Sequence, residues 1–180
     1  MSTTAPLTTT ITGQAALVTG ASRSRGIGQA TVRSLLAAGA SRVYATARQR
    51  SQLDALVAEG AGRVVALTLD VTDRAALAAL PQQARDVRIL VNNAGLFDGA
   101  TALSGGDGAA MFTVNYTAPL LLTRAFAAQL AGGALVNINS IASLVNFPLA
   151  PLYSDSKAAA HSLTIAQRRE LRAQRGQKKL

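Results

Sequence analysis

The sequence predicts an α/β fold: a doubly wound parallel sheet with helices on both faces. Short apolar runs without polar alternation recur five times along the 180 residues, as strands buried on both faces require. Between them lie stretches whose apolar residues recur at helical spacing. The alternation of the two segment types implies right-handed βαβ units.

Residues 15–19, Ala-Ala-Leu-Val-Thr, form the first strand. Residues 28–39 read as a helix, with Ala30, Val32, Leu35 and Leu36 at helical spacing and Gly39 as its stop. Residues 42–47 are the second strand, and 51–59 a helix with Leu53, Leu56 and Val57 inward. The third strand is 63–69, the third helix 73–83 and the fourth strand 89–92. A Gly-rich loop, 95–108, leads into a long helix over about 109–130. Residues 134–138 form the fifth strand. A loop with Pro148 and Pro151 precedes a last helix over about 153–172. Neither a repeat nor a linker divides the chain. Residues 1–180 are expected to form one domain, with a flexible N-terminus at 1–12 and a basic tail at 173–180.

Composition excludes several chemistries. There is no Cys, so disulfides, a thiolate nucleophile and Cys-ligated metals are out. The single His, His161, removes most His-based metal sites and argues against a Ser-His-Asp triad. No apolar run approaches a membrane span, and residues 1–12 lack the pattern of a secretory signal. The cytoplasm is the expected compartment. Net charge is +9, but residues 168–180 carry +5 of it. A solvated charged end explains that better than a nucleic-acid surface does.

The first strand runs into Thr19-Gly20-Ala21-Ser22-Arg23-Ser24-Arg25-Gly26-Ile27-Gly28. Glycines let a backbone approach a pyrophosphate closely, and the following helix offers free N–H groups at its positive end. Alone such a turn could be an ordinary βα loop, but its placement after the first buried strand and before a helix favours a nucleotide site in a Rossmann-like fold. It is not a Walker loop, since no Gly-Lys-Ser/Thr follows. The second strand ends in Ala47-Arg48, with no acid for a ribose 2′-hydroxyl. Arg48, together with Arg23 and Arg25, suits a 2′-phosphate, which favours NADP over NAD.

Tyr153 and Lys157 are four residues apart at a predicted helix start, and so share one face. Tyr-x-x-x-Lys alone is common, but a neighbouring ammonium favours a phenolate, which suits Tyr to acid–base work. Ser140 lies thirteen residues before Tyr153, at the carboxyl end of the fifth strand. There its hydroxyl can hydrogen-bond a substrate carbonyl. Ser143 is the less suitably spaced alternative. Asn115 sits inside a predicted helix, an unfavoured place for Asn.

These residues together resemble the short-chain dehydrogenase/reductase family over about residues 13–172. The resemblance rests on the glycine turn, Asp70-Val71, Asn92-Asn93-Ala94-Gly95, Asn115, Ser140 and Tyr153-Ser154-Asp155-Ser156-Lys157. It implies an NAD(P)-dependent oxidoreductase that interconverts a carbonyl and a secondary alcohol. Tyr153 would be the general acid or base. Lys157 would favour its phenolate and hold the nicotinamide ribose. Ser140 would polarise the carbonyl, and Asn115 would hold a water in a proton relay. Gly20, Ser22, Arg23 and Ile27 would line the pyrophosphate; Asp70 and Val71 would contact adenine; Asn93, Ala94 and Gly95 would line the cofactor. The helix over 109–130 and the last helix would form a homo-oligomer interface.

The sequence departs from the family pattern twice. Gly20 and Gly26 are six apart rather than four, so the turn is two residues longer. Family members also continue with further strands and a Pro-Gly turn, whereas no Pro follows Pro151. The last family strands are therefore expected to be missing, with the fifth strand left at an open edge. The alternative reading is a catalytically silent nucleotide-binding or interaction protein without the substrate half.

Overall fold

The computed structural model describes residues 10–177, with side chains to Gln174. Five strands form one parallel sheet in the order β3-β2-β1-β4-β5. They are β1 (Ala15–Val18), β2 (Arg42–Ala47), β3 (Val64–Thr68), β4 (Val87–Asn92) and β5 (Ala134–Asn137). The helices are α1 (Ile27–Ala37), α2 (Asp54–Glu59), α3 (Arg74–Gln83), α4 (Ala109–Phe112), α5 (Ala118–Ala125) and α6 (Pro151–Gln177). The expected doubly wound sheet is the observed one.

The alternating strand residues build two cores. Ala16 and Val18 of β1, Val43 and Ala45 of β2, and Ile89 and Val91 of β4 pack with Val32 and Leu35 of α1 and Leu56 of α2. Leu17, Tyr44 and Leu90 point the other way, onto Leu77 and Leu80 of α3, Leu122 of α5, and Phe126 and Leu130. Both faces of the central strands are thus covered, which is why their sequences show no polar alternation.

The reversal of direction between β1–β2–β3 and β1–β4–β5 leaves a crevice beyond the carboxyl ends of β1 and β4. β5 pairs only with β4, so it is the edge of the described sheet. A polar ladder fixes it. Asn92 and its register partner Asn137 are bonded, Nδ2 to Oδ1, at 2.8 Å. Asn137 Nδ2 donates to Thr164 Oγ1 and Gln167 Oε1 of α6, each at 2.9 Å. The register of β5 sets the position of Ser140, three residues on.

Three expectations about helix bounds are corrected. The long helix over 109–130 is three pieces: α4, a π-turn over Thr113–Thr117, and α5, which stops at Ala125. Pro119, which has no N–H for the Asn115 carbonyl four residues back, sits in the first turn of α5 just after the π-turn. The last helix begins at Pro151 rather than 153, because proline at the first helical position sacrifices no hydrogen bond. It runs to Gln177, so residues 173–177 of the expected tail are helical; 178–180 lie outside the described residues. Of the N-terminus expected to be flexible, residues 1–9 lie outside the described residues. Ile11, however, packs against the α1-side core, and Thr12 Oγ1 donates to the Ala38 carbonyl.

Replacing Asn137 by Leu would leave Asn92, Thr164 and Gln167 without this partner. The expected cost is about 1–3 kcal/mol in urea unfolding. Unchanged stability would show that the ladder does not hold β5.

Candidate functional site

The site begins where β1 and β4 end. Thr19 Oγ1 accepts hydrogen bonds from the backbone N–H groups of Asn93 and Ala94, both at 3.0 Å. Asn93 Nδ2 donates back to the carbonyls of Thr19 and Gly20, at 2.8 and 3.0 Å. Gly20 turns the chain with φ +70°, and a Cβ there would stand 2.7 Å from Ala94 Cα. Gly28 is as tightly held: its Cβ would fall 2.6 Å from the Gly20 carbonyl oxygen. Only glycine fits at either place.

The two extra residues of the turn are absorbed outside this clamp. Gly26 N–H closes a turn onto the Arg23 carbonyl at 2.9 Å, and Arg23, Ser24 and Arg25 are exposed. Arg33 of α1, paired with Glu59, also reaches the Ser24 carbonyl at 3.5 Å. Gly26 is then the N-cap of α1, and no side chain caps its first turn. Ser22 is half-buried beside it, and Ile27 is exposed on that first turn.

Arg48, at the end of β2, is exposed. Among the described residues, Arg23, Arg25 and Arg48 take part in no ion pair. Asp70, past β3, accepts from the N–H and hydroxyl of Thr72 at 2.9 and 2.8 Å. Those bonds, with Arg48 as a smaller influence, hold its carboxyl below the ordinary value. Val71 is half-buried against the α3-side core.

The second part of the site lies beyond β4 and β5. Asn115 is on the π-turn and only 2% exposed. Its Oδ1 accepts from Leu96 N–H at 2.9 Å, and its Nδ2 donates to the Leu96 carbonyl and to Ser156 Oγ, at 2.8 and 2.9 Å. Asn115 is therefore a buried clamp rather than a tolerated surface residue. Ser156 Oγ in turn donates to the Tyr153 carbonyl at 2.7 Å. Tyr153 and Lys157 share one face of α6, with the ammonium 5.9 Å from the centre of the phenol ring. Phe97 also packs on this ring, edge to face, centroid to centroid 5.0 Å.

Lys157 is buried and donates to the Ile138 carbonyl at 3.1 Å. Burial pushes its amine below the ordinary lysine value. A Cβ on Gly95 would stand 3.5 Å from Asn115 Oδ1 and 3.8 Å from Lys157 Nζ. Glycine there keeps open a cradle lined by both. Ser140 is the N-cap of a 3-10 turn, Ile141–Ser143; its Oγ accepts from Ala142 N–H at 3.2 Å, which leaves its own hydrogen to donate. The Ser143 hydroxyl is committed to the Ser140 carbonyl at 2.7 Å.

The structure thus groups Asn115, Tyr153, Lys157 and Gly95 in one cluster and Gly20, Gly28, Asn93 and Ala94 in another. Arg23, Arg48 and Ile27 stay open to solvent at the outer rim. The roles of three residues went unforeseen in the sequence. Thr19 was read as the start of the glycine turn, without the side-chain bonds it makes to Asn93 and Ala94. Ser156 lay inside the Tyr-to-Lys interval. Phe97 carries no motif; only its place two residues after Gly95 could have drawn notice. Among the described residues no cluster of His, Asp or Glu suits a metal.

A glycine turn at the carboxyl edge of a doubly wound parallel sheet defines a Rossmann-type fold. Comparison with known proteins makes the class specific. The family description "short chain dehydrogenase" matches residues 14–175, and the chain belongs to that family. Ketoacyl reductase HetN of Nostoc is 35% identical over 176 residues, which cover 91% of this chain and 60% of HetN. A serine 3-dehydrogenase of Agrobacterium fabrum is 35% identical, covering 86% of this chain and 65% of its own. The chain thus spans about two thirds or less of these relatives. Among solved structures, a short chain dehydrogenase of Burkholderia cenocepacia in complex with NADP superposes with a TM-score of 0.84 at 36% identity, covering 93% of this chain and 70% of that one. One from Burkholderia phymatum in complex with NAD gives 0.84 at 27% identity, covering 92% and 63%.

Burial of the Lys157 ammonium gives a pH signature. The folded-state pKa lies below the ordinary 10.5, so folding favours the neutral amine. The cost of burying the charge is full below the folded pKa and fades as pH rises toward the unfolded value. Between pH 7 and 10 the parent should therefore gain stability relative to Lys157→Met. A difference independent of pH, measured by urea unfolding, would contradict this account of the buried amine.

Proposed function

We propose that this chain is an NADP-dependent oxidoreductase that interconverts a carbonyl and a secondary alcohol, with Tyr153 as general acid and base. The observation that carries the reading is the Tyr153 ring in contact with both Lys157 and Phe97, with Lys157 beside the cradle at Gly95. That cradle and the uncapped α1 terminus fit a dinucleotide. Gly20, Ser22, Arg23 and Ile27 would hold its pyrophosphate. Asp70 and Val71 would flank adenine, and Asn93, Ala94 and Gly95 would line its path. Arg48, with Arg23 and Arg25, would meet a 2′-phosphate, and the NADP complex of the Burkholderia cenocepacia relative supports that preference. Tyr153 and Lys157 would hold the nicotinamide ribose.

The nicotinamide, when bound, supplies or accepts the hydride. The chain handles the proton. In carbonyl reduction Ser140 donates a hydrogen bond to the carbonyl oxygen, and Tyr153 gives that oxygen its proton. The Lys157 ammonium stabilises the phenolate left behind. Because Pro119 supplies no N–H, the Asn115 carbonyl has no donor in the α-helical pattern. That oxygen would hold the water that returns a proton toward Lys157. Alcohol oxidation runs the same steps backward.

On the same reading, residues 1–180 act as one dinucleotide-binding domain in the cytoplasm, and α5 and α6 pair copies into a homo-oligomer. In support, no helix among the described residues is long and apolar enough to cross a membrane.

The test is Tyr153→Phe with NADPH and a panel of ketones. Loss of the proton donor should lower kcat by about 10²–10⁴-fold, with NADPH affinity retained. Activity that survives the change would exclude Tyr153 as the acid. No turnover by the parent, with NADPH bound, would favour a silent nucleotide-binding protein.

A further inference from the structure

Several of the apolar side chains left open on this fold lie on the two segments that reach Tyr153 or the first turn of α6. Phe97 is 59% exposed although its ring edge rests on the Tyr153 ring. Ile141, Leu144, Val145 and Leu149, on the loop between Ser140 and α6, are all exposed. That loop is not remote from the phenol. The Phe147 N–H donates to Ser154 Oγ at 2.8 Å, and Ser154 Oγ reaches the Ala150 carbonyl at 3.3 Å. Both bonds tie the loop to the first turn of α6, beside Tyr153.

The same segments carry almost no charge, and none that is positive. Residues 138–152 contain no ionisable side chain, and residues 95–108 contain only Asp98 and Asp107. The nearest ammonium, Lys157, is buried and already bonded to the Ile138 carbonyl. A carboxylate on the substrate would find no counter-charge on either segment, and Asp98 would repel it. An alkyl or aryl group would find an apolar wall that begins at the Tyr153 ring itself.

We infer that the substrate of this site is an uncharged ketone or secondary alcohol whose carbonyl carbon bears an extended apolar group, lodged between Phe97 and the loop over 141–149. A hydroxy acid or amino acid is the excluded class. The inference rests on the oxidoreductase reading for its chemistry, but the apolar site makes its own binding prediction. Water released from the wall should favour longer chains, by severalfold in affinity per methylene.

The experiment compares 2-octanone with 3-oxobutanoate. Turnover is followed by NADPH consumption, and binding is followed separately by saturation-transfer NMR on the full chain with NADPH. The expected result is a kcat/KM at least 100-fold higher for 2-octanone, and a ratio cut at least tenfold by Leu144→Lys. Leu144 is exposed, so the substitution leaves the core alone; Val145→Lys is the second variant should the first fail to fold. Equal use of both compounds, preference for 3-oxobutanoate, or no saturation transfer to 2-octanone would overturn the inference. Transfer to 2-octanone that Leu144→Lys abolishes, with no turnover of either compound, would uphold the apolar site and refute the oxidoreductase reading.

Discussion

Four hydrogen bonds between Thr19–Gly20 and Asn93–Ala94 lock the ends of the two central strands together. The rest of the site is built outward from that clamp. It holds the glycine turn close enough to β4 that neither Gly20 nor Gly28 can carry a Cβ, and so it aims the start of α1. It also delivers the chain to Gly95, where the missing side chain leaves space before Asn115 and Lys157. The next residues, Leu96 and Phe97, are the ones that Asn115 and Tyr153 grip. The glycine turn and the Tyr153–Lys157 end are thus two outlets of one joint.

Lys157 shows what such a site costs in stability. A buried ammonium with one carbonyl partner is unfavourable, and folding tolerates it because the surrounding contacts over-determine α6. Those contacts are polar as much as apolar. Ser156 ties α6 to Asn115, and Thr164 and Gln167 tie it to Asn137 of the edge strand. The same helix therefore positions Tyr153 and Lys157 and is tied to β5.

Most of the fold was legible because its strands are buried on both faces. Unbroken apolar runs such as Ile89-Leu-Val-Asn92 have few other uses, and glycines marked the phosphate turn. What stayed hidden depended on contacts far apart in sequence. The π-turn lay inside a continuous apolar stretch; Pro119 was its one local sign, and the Asn115–Leu96 bonds complete it. The fate of the two extra turn residues was unreadable because the bond from Arg33 to Ser24 joins the turn to the exposed face of α1. Phe97 had no motif at all, since its role comes from the ring it touches. Ser140 and the Tyr153–Lys157 pair were read from spacing and strand ends, and the fold sets the pair on one face of α6.

The central claim is that this sheet edge holds a phosphorylated dinucleotide. The thermal midpoint of the chain against rising NADPH, with NADH in parallel, tests it most directly. The chain has no Trp, so a dye or calorimetric readout is the suitable one. At a hundred times its dissociation constant, a ligand stabilises the fold by about 2.7 kcal/mol. The account predicts a cooperative transition that NADPH raises further than NADH at equal concentration. A cooperative transition that neither dinucleotide moves would contradict it.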